Sequence, residues 1–544
     1  MRKLFTDWQK LSANYRYFFV LILVLGIFFR FVHLEGKVYW IDESFTSLRI
    51  SGYTETQLVE EVSQKGIIGI KTLQKYQKIN PDKTVLDTIR GVATEEPQLT
   101  PLYFIIARFW AQVFGSSIVT IRSLSAVISL LIFPALYWLC QELFLAPFVS
   151  WIAIALMAVS PFHVLYSQEA RPYSLWTVTI IFSCAAFLHA IKRQTVLIFF
   201  YYFMSLLVGF YTHLFFIFVV VIHAIYAAIQ EHFKWTKTFS RFTVVWCAGF
   251  LALVPWFLPI ILHWEQVQNK TNWQTQIMPG YYNALFKLWL VNFNLPFLDF
   301  NFASSRDFRF NFMGIAILLG GFYFICYSIY FTYRHSSPRI WQFILLLSIL
   351  TFILLAIPDL LLGGMRSTVS RYLIPCYVGL QLAMAYFLAN KIVFSYKKAL
   401  WNFALGSMLS VGIISCAISS QSPVWWFKYN SNHNYNIAKI INQTKAPLLI
   451  SEKDLNLINF QNLGNLLSLS YLLDEKVKLS LIIEPKMPLI YHNFSDVFLY
   501  NPSEELLASL PNQNRKIQLV FISKIDEISL FKIKEGASPN APRN

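Results

Sequence analysis

Long apolar segments recur along most of this 544-residue chain, and they limit what it can fold into. Segments 17–29, 151–164, 198–211, 343–357 and 372–388 contain no charged residue. With their flanks, such segments are long enough to cross the roughly 30 Å hydrocarbon core of a bilayer. Only 14% of all residues are charged, whereas soluble domains contain about 25%. The sequence therefore predicts a polytopic α-helical membrane protein.

Basic residues flank these apolar segments and do not form a separate block. The formal net charge of +16 would suit a nucleic-acid partner. The positive-inside bias of membrane proteins explains the same charge, because the Lys/Arg clusters lie at the ends of apolar segments. We therefore expect membrane lipids, and no nucleic acid, as partners. The six cysteines lie in or beside apolar segments without CxxC or Cys/His spacing, which predicts packing residues.

The charge pattern also predicts the topology. From Lys192 onward, the apolar length between successive Lys/Arg clusters fits two spans each time, so the clusters mark the cytoplasmic side. The segment 101–114 is short and contains Arg108, which suits an interfacial helix better than a span. The loop 141–147 is placed inside, although it carries Glu142 and no basic residue. About eleven spans are predicted, at 14–34, 121–140, 148–166, 172–191, 196–211, 213–230, 241–262, 311–333, 340–357, 369–389 and 400–420.

The composition changes after residue 420. The remaining residues are richer in Asn, Lys, Glu and Ser, and short apolar runs among them predict strands, with a helix at 461–473. We expect a transmembrane domain over 1–420, in which 35–120 forms an outer loop with interfacial helices. A small extracytoplasmic α/β domain is expected over 421–544. The predicted strands contain residues 447–450, 477–483, 496–500 and 517–522.

Two adjacent acids, Asp42 and Glu43, follow the first apolar segment directly. A general base must be a carboxylate or histidine within hydrogen-bond reach of the group that it deprotonates. The pair is also consistent with ordinary loop acids. The aromatic residues before it, Tyr39 and Trp40, are equally typical of an interfacial aromatic belt.

A second charged pair, Glu169 and Arg171, lies in a very short loop between two predicted spans, and Pro172 opens the next helix. A short loop holds both side chains close to the membrane surface. They could form a local salt bridge that orders the turn. Alternatively, the acid helps to position an acceptor or a metal, with the arginine near a phosphate.

Arg371 lies at the predicted outer end of an apolar helix, where a buried charge is costly unless it meets a partner. A guanidinium group suits binding to phosphate oxygens, and snorkelling to lipid headgroups is the alternative. His213 falls at the outer junction of two short spans and could be a structural hydrogen-bonding group. No Walker loop, GxGxxG fingerprint or zinc spacing occurs, so a soluble nucleotide is not indicated. A sugar donor on the outer side would have to be lipid-linked.

Taken in order, these motifs resemble the C-type (GT-C) glycosyltransferases. The resemblance is to bacterial glycosyltransferase family 39, which includes enzymes like protein O-mannosyltransferases and lipid A sugar transferases. It covers residues 1 to about 420. One departure is Leu99-Thr100-Pro101, where the family often has two adjacent prolines. The positions that carry the resemblance are Asp42-Glu43, 101–103, Arg122, 166–171, 211–213 and Arg371-Tyr372.

The resemblance implies a role for each of these residues. Asp42 would deprotonate or orient the acceptor nucleophile, while Glu43 and Glu169 would shape the acceptor or metal site. Arg371 would hold the donor phosphate, with Arg171 and Tyr372 beside it. The remaining substrate-binding candidates are His213, Tyr103 and Gln168. No cofactor is certain, a divalent metal remains possible, and the metal ligands are unknown.

The sequence thus predicts a multi-pass inner-membrane glycosyltransferase with its active site on the periplasmic, extracytoplasmic side. It would move a sugar, with inversion, from a polyprenyl-phosphate donor to a lipid, glycan or protein acceptor. Its acids and arginines are expected to converge in one cleft. A transporter or flippase of lipid-linked saccharides is the main alternative, but transporters usually place ionisable residues near mid-bilayer. A polytopic sensor or assembly protein is a third possibility.

Overall fold

The computed structural model describes residues 11–277, 280–301, 312–426, 428–452, 461–483, 494–510, 515–523 and 528–535. The chain forms two compact units, each built from several stretches of sequence. The first unit contains Met1–Leu34, Val92–Tyr103 and Arg122–Ser422, and the second contains Glu35–Gly91, Phe104–Ile121 and Pro423–Asn544.

The first unit is helical wherever the structure describes regular elements. Three of the five points at which the chain passes from one unit to the other lie within helices, namely α5, α6 and α7. The helices that lie wholly or partly in this unit are α1 (Ala13–Phe31), α5 (Val85–Glu95), α6 (Leu102–Phe114), α7 (Ile118–Leu130), α8 (Ile132–Leu143), α9 (Pro147–Ala158), α10 (Pro161–Ser167), α11 (Tyr173–Arg193), α12 (Val196–Thr212), α13 (Phe216–Gln230), α14 (Lys237–Leu262), α15 (Trp264–Thr271), α16 (Tyr281–Asn294), α17 (Phe312–His335), α18 (Pro338–Leu362), α19 (Ile374–Phe394) and α20 (Lys398–Gln421).

Eight helical segments in the described part of the chain are long and apolar enough to cross a membrane. The pair α9 and α10, which is bent by 59°, makes a ninth candidate. Two further apolar helices, α12 with 17 residues and α13 with 15, are shorter. Each of the eleven predicted spans overlaps one of these helices, and the prediction of a polytopic α-helical protein is confirmed. The eight segments are α1, α7 with α8, α11, α14, α17, α18, α19 and α20.

Proline and one buried arginine shape the bend between α9 and α10. Pro161 opens α10, and proline is tolerated at a helix start because it lacks the N–H that would be unsatisfied there. The free carbonyls at the end of α9 accept hydrogen bonds from Arg30, at 2.5 Å to Ala158 O and 3.1 Å to Met157 O. Arg30 has no exposed surface, so these carbonyls compensate part of the cost of burying its charge. The bend therefore rests on a contact with α1.

Glu142, the acid in the loop predicted to be cytoplasmic, is held by two basic neighbours. Lys192 donates to its carboxylate at 3.0 Å, and His189 Nδ1 lies 2.9 Å from the other oxygen. Both basic residues come from the end of α11, which carries the Lys/Arg cluster of the same predicted side. The acid therefore does not argue against that topology, because its charge is balanced locally.

The second unit is built around a six-stranded mixed sheet with the order β1-β3-β2-β4-β6-β5. Strand β2 pairs in parallel with β3 and β4, while β1 with β3, β4 with β6, and β5 with β6 are antiparallel. The elements are α2 (Ile41–Ser51), α3 (Glu55–Lys65), β1 (Ile67–Gly69), α4 (Ile70–Gln74), α21 (Asn434–Asn442), β2 (Pro447–Glu452), α22 (Gln461–Leu469), β3 (Lys478–Ile482), β4 (Asp496–Tyr500), α23 (Glu504–Ser509), β5 (Arg515–Ser523) and β6 (Ile528–Glu535).

The predicted α/β character of the C-terminal region is confirmed, and all four predicted strand segments lie in or overlap strands. The sequence did not predict that the segment after α1 would join this sheet. Strand β1 pairs with β3, and one apolar core contains Phe45 and Leu48 together with Leu466 and Leu479. By their contacts, residues 35–91 and 104–120 of the predicted outer loop group with the C-terminal region, and residues 92–103 group with the first unit. Long-range strand pairing of this kind leaves no local signal in a three-residue strand.

Candidate active site

Helix α2 carries Asp42 and Glu43 in its first turn. Acids are favourable at this end, because the helix dipole is positive there. Every residue of α2 except Asp42 is buried, and Glu43 has no exposed surface. Gly52 ends the helix with a φ of 90°, a conformation that glycine adopts without steric cost. Of the two acids, Asp42 is therefore the one with access to solvent or a substrate.

In the first unit, Glu169 and Arg171 lie in the turn between α10 and α11. The Arg171 N–H donates to the Glu169 carbonyl at 2.8 Å, and each residue is only 4% exposed. Gln168 donates to the carbonyls of Phe29 and Val32, both at 2.8 Å, and so ties the turn to the end of α1. The short loop holds its two charged residues in place, as the sequence indicated.

Ser125, on α7, connects this turn to Tyr103. The Tyr103 hydroxyl lies 2.8 Å from Ser125 Oγ, which in turn donates to the Arg171 carbonyl at 3.4 Å. Tyr103 is fully buried. Tyr103 and Gln168 thus form hydrogen bonds with other residues of the protein. Their predicted substrate-binding roles stay predictions.

Arg371 is surrounded by aromatic rings. Its guanidinium carbon lies 5.8 Å from the centre of the Tyr173 ring, 5.9 Å from that of Trp273 and 5.7 Å from that of Tyr372. We call these three residues the aromatic cradle. Cation–π contacts of this length attract a guanidinium group to the ring faces. Arg371 is only partly buried, so a ligand can reach its side chain.

The segment 363–373, which carries Arg371, is fixed by a buried acid that the sequence analysis did not single out. The Asp359 carboxylate accepts 2.7 Å hydrogen bonds from both the N–H and the hydroxyl of Ser367, and pairs with Arg366 at 3.0 Å. Asp359 has no exposed surface. Its signal in the sequence is an acid directly after Pro358, at the end of a span that is otherwise free of acids.

Side chains from α16 and from the turn after α15 hold the same segment. Trp289 donates to Ser367 Oγ at 2.9 Å, and Gln274 donates to the Tyr372 hydroxyl at 3.0 Å. The Tyr281 hydroxyl lies within 2.7 Å of the carbonyls of both Asp359 and Gly364. Burial and the nearby Asp359 carboxylate raise the pKa of Tyr281, so its hydroxyl remains a proton donor. These hydrogen bonds therefore hold the segment 363–373, which carries Arg371, from several sides.

His213 lies beside the cradle. Its ring stacks on Trp176 with centres 4.0 Å apart and an angle of 6°, and lies 6.4 Å from the Tyr372 ring. Its Nδ1 accepts a 3.1 Å hydrogen bond from the Phe215 N–H. This is the structural hydrogen-bonding role that the sequence analysis gave as one alternative. A substrate-binding role for His213 stays a prediction.

The predicted site residues fall in both units: Asp42 and Glu43 in the second, and the others in the first. Within the first unit the structure brings together Arg371, Tyr372 and His213. That all of them converge in one cleft stays a prediction. Among the described residues, no group of three or more His, Cys, Asp or Glu side chains could hold a metal ion, and we derive no step through one.

Comparisons with known proteins agree with this architecture. Residues 96–263 match the model of the family described as dolichyl-phosphate-mannose-protein mannosyltransferase. No curated protein matches the chain significantly. Apo ArnT from Cupriavidus metallidurans is similar in structure, with 13% identity, a TM-score of 0.50, and coverage of 96% of this chain and 98% of that one. The apo oligosaccharyltransferase from Archaeoglobus fulgidus has 13% identity, a TM-score of 0.50, and coverage of 87% and 65%.

A second ArnT structure from the same organism, bound to undecaprenyl phosphate, shows 12% identity and a TM-score of 0.49, with coverage of 98% and 100%. At such identities the structural similarities establish the fold. The chain is thus a multi-pass membrane protein with a fold similar to that of ArnT and the oligosaccharyltransferase. The resemblance predicted from the sequence is confirmed: the chain is similar to the dolichyl-phosphate-mannose-protein mannosyltransferase family over residues 96–263, and to ArnT and the oligosaccharyltransferase in fold.

Proposed function

We propose that this protein transfers a sugar from a polyprenyl-phosphate donor to a lipid, glycan or protein acceptor on the extracytoplasmic face of the inner membrane. The observation that carries the proposal is the way in which Arg371 is held. A guanidinium group is fixed by three aromatic rings and by a segment anchored at Asp359, next to apolar helices. This arrangement suits a phosphate that arrives on a membrane lipid.

Arg371 would act on the leaving group. Its delocalised charge, with five N–H donors, stabilises the negative charge that grows on the phosphate oxygen as the anomeric C–O bond breaks. Arg171, whose backbone N–H bonds to Glu169 in the turn between α10 and α11, is a second candidate for binding the phosphate. A lipid-linked donor also agrees with the absence of a nucleotide-binding motif from the sequence. ArnT, whose apo structure has the same fold, has been solved with undecaprenyl phosphate.

Asp42 would act on the acceptor. As the nucleophile attacks the anomeric carbon, its proton passes to the Asp42 carboxylate, and the bonding electrons of the C–O bond leave with the phosphate. A single displacement of this kind inverts the anomeric configuration. Asp42 is suited to this role because it is the one residue of α2 that is not buried. Glu43, buried beside it, would support the site without meeting the acceptor directly.

The test is sugar transfer by the purified protein in liposomes, from a panel of polyprenyl-phosphate sugars to extracted envelope lipids, glycans and proteins. Asp42→Asn should lower kcat by about 10²–10⁴-fold, the usual contribution of a general base. Its yield in the membrane should be unchanged. The matched control is Asp82→Asn, which changes an exposed acid of the same unit. Full activity of Asp42→Asn would remove the assignment of the base.

A further inference from the structure

Helix α2 begins without a capping side chain of its own. The residue before it, Trp40, makes no side-chain hydrogen bond to the first turn. The first N–H groups of a helix have no partner within it and need one from elsewhere. Here the Ile41 N–H donates to Ser431 Oγ at 3.2 Å, which comes from the C-terminal region about 390 residues away in sequence. Ser431 therefore caps the helix that carries Asp42.

The Ser431 hydroxyl is fixed in this role. It donates its own proton to Asn465 Oδ1 at 2.7 Å, so its lone pairs are directed at the Ile41 N–H. Ser431 and Asn465 both have no exposed surface. A buried hydroxyl with a committed proton and a committed acceptor site cannot rotate freely. The orientation of the cap thus depends on α22, which carries Asn465.

Helix α22 also packs directly on α2. A methyl group added at Gly464 would lie 2.6 Å from the Phe45 ring and would also overlap the Ile41 side chain. Only glycine lets the two helices approach this closely. Because Ile41 and Phe45 flank the two acids in α2, any larger residue at position 464 must shift side chains of the turn that carries them.

Three further contacts hold the residues that lead into α2. The Val38 N–H donates to the Pro423 carbonyl at 2.8 Å, and the Tyr435 hydroxyl donates to the Gly36 carbonyl at 3.1 Å. The Lys428 ammonium lies 4.1 Å from the centre of the Trp40 ring, and Lys428 is only 7% exposed. The C-terminal region therefore contacts the chain on both sides of the start of α2.

We propose that Ser431 and Gly464 are positioning residues for Asp42, so that the C-terminal region sets the orientation of the general base. This proposal rests on the proposed function for its catalytic consequence. It assigns the C-terminal region a part in the chemistry itself, by holding the acid that receives the acceptor's proton. The structural part can be tested without knowing the sugar or the acceptor.

Carbodiimide labelling of carboxyl groups in the purified full-length protein, read by mass spectrometry, measures the position of the two acids. In the wild type, Asp42 should be modified and the buried Glu43 protected. Ser431→Ala and Gly464→Ala should each raise the modification of Glu43 several-fold, because the first turn loses its cap or is displaced. The matched control is Gly406→Ala, since a methyl group added there meets no atom within 4 Å.

The same variants should lower kcat about tenfold or more, because small displacements of a catalytic group are costly, while the donor KM stays within twofold. Binding of undecaprenyl phosphate, measured as intrinsic fluorescence quenching, should be unchanged and would show that the first unit is folded. Unchanged labelling and kcat in both variants would overturn the proposal. Raised Glu43 labelling together with full activity of Asp42→Asn would leave the positioning contacts standing and overturn the proposed function instead.

Discussion

The carboxylate of Asp359 accepts two hydrogen bonds from Ser367, one from the backbone N–H and one from the hydroxyl, each at 2.7 Å. These bonds join the end of α18 to the segment that carries Arg371. Because Asp359 is fully buried, its charge is stabilised only while these donors and Arg366 stay in place. The segment and its arginine are therefore held in one arrangement.

Asp359→Asn should weaken this anchor. An amide carries no charge to pair with Arg366, and its NH₂ group cannot accept from Ser367. We expect the donor KM to rise about tenfold, the effect of losing roughly 1.4 kcal/mol of orientation, with a smaller change in kcat. Donor titration of the purified protein measures both constants. A donor KM within twofold of the wild-type value would contradict the proposed link between Asp359 and Arg371.

Arg371→Lys should impair use of the donor although it conserves the charge. Lysine presents a point charge and cannot reproduce the planar fork or the stacking of a guanidinium group in the cradle. We expect the donor KM to rise by about tenfold or more, as for the loss of a charge-assisted hydrogen bond. Arg241→Lys, at the start of α14 and outside the site, is the control. Equal donor KM values for the two variants would argue against phosphate binding by Arg371.

Gly379 should be critical for the packing of α19 against α18. A methyl group added there would lie 2.5 Å from Ser348 Oγ and 2.6 Å from the Ser348 backbone nitrogen, so the helices must separate. Small residues allow such close approach between membrane helices. Gly379→Ala should cost about 1–3 kcal/mol, typical of overpacking, and lower the unfolding temperature in detergent. Gly320→Ala, where the added methyl meets nothing, should leave it unchanged.

The proposed sidedness can be measured with single cysteines. Cys247 and Cys326 are exposed and are first replaced by serine. Leu145→Cys, in the loop beside Glu142, should then react with a membrane-impermeant maleimide only after the cells are opened. Leu86→Cys, in α5, should react in intact spheroplasts. Both leucines are about 70% exposed, so accessibility within the protein is matched. The reverse pattern would place the proposed active site on the cytoplasmic side.

Local sequence patterns determined much of this protein. Apolar segments without charge can only be helices in a bilayer, because every backbone N–H and C=O must be paired inside the segment. This is why the helices were predictable. The ordered motifs from Asp42-Glu43 to Arg371-Tyr372 were likewise sufficient to indicate a resemblance to the GT-C glycosyltransferases.

Tertiary structure alone decided how these residues are held. In the sequence, Asp359 is an isolated acid. Its structural role depends on the two hydrogen bonds that Ser367 donates to it. The cap of α2 by Ser431 joins residues about 390 positions apart, and the place of β1 depends on its pairing with β3. Hydrophobic periodicity is a local property, so it fixes which segments are helices and strands. Contacts between distant segments depend on how those elements pack, which no local pattern encodes.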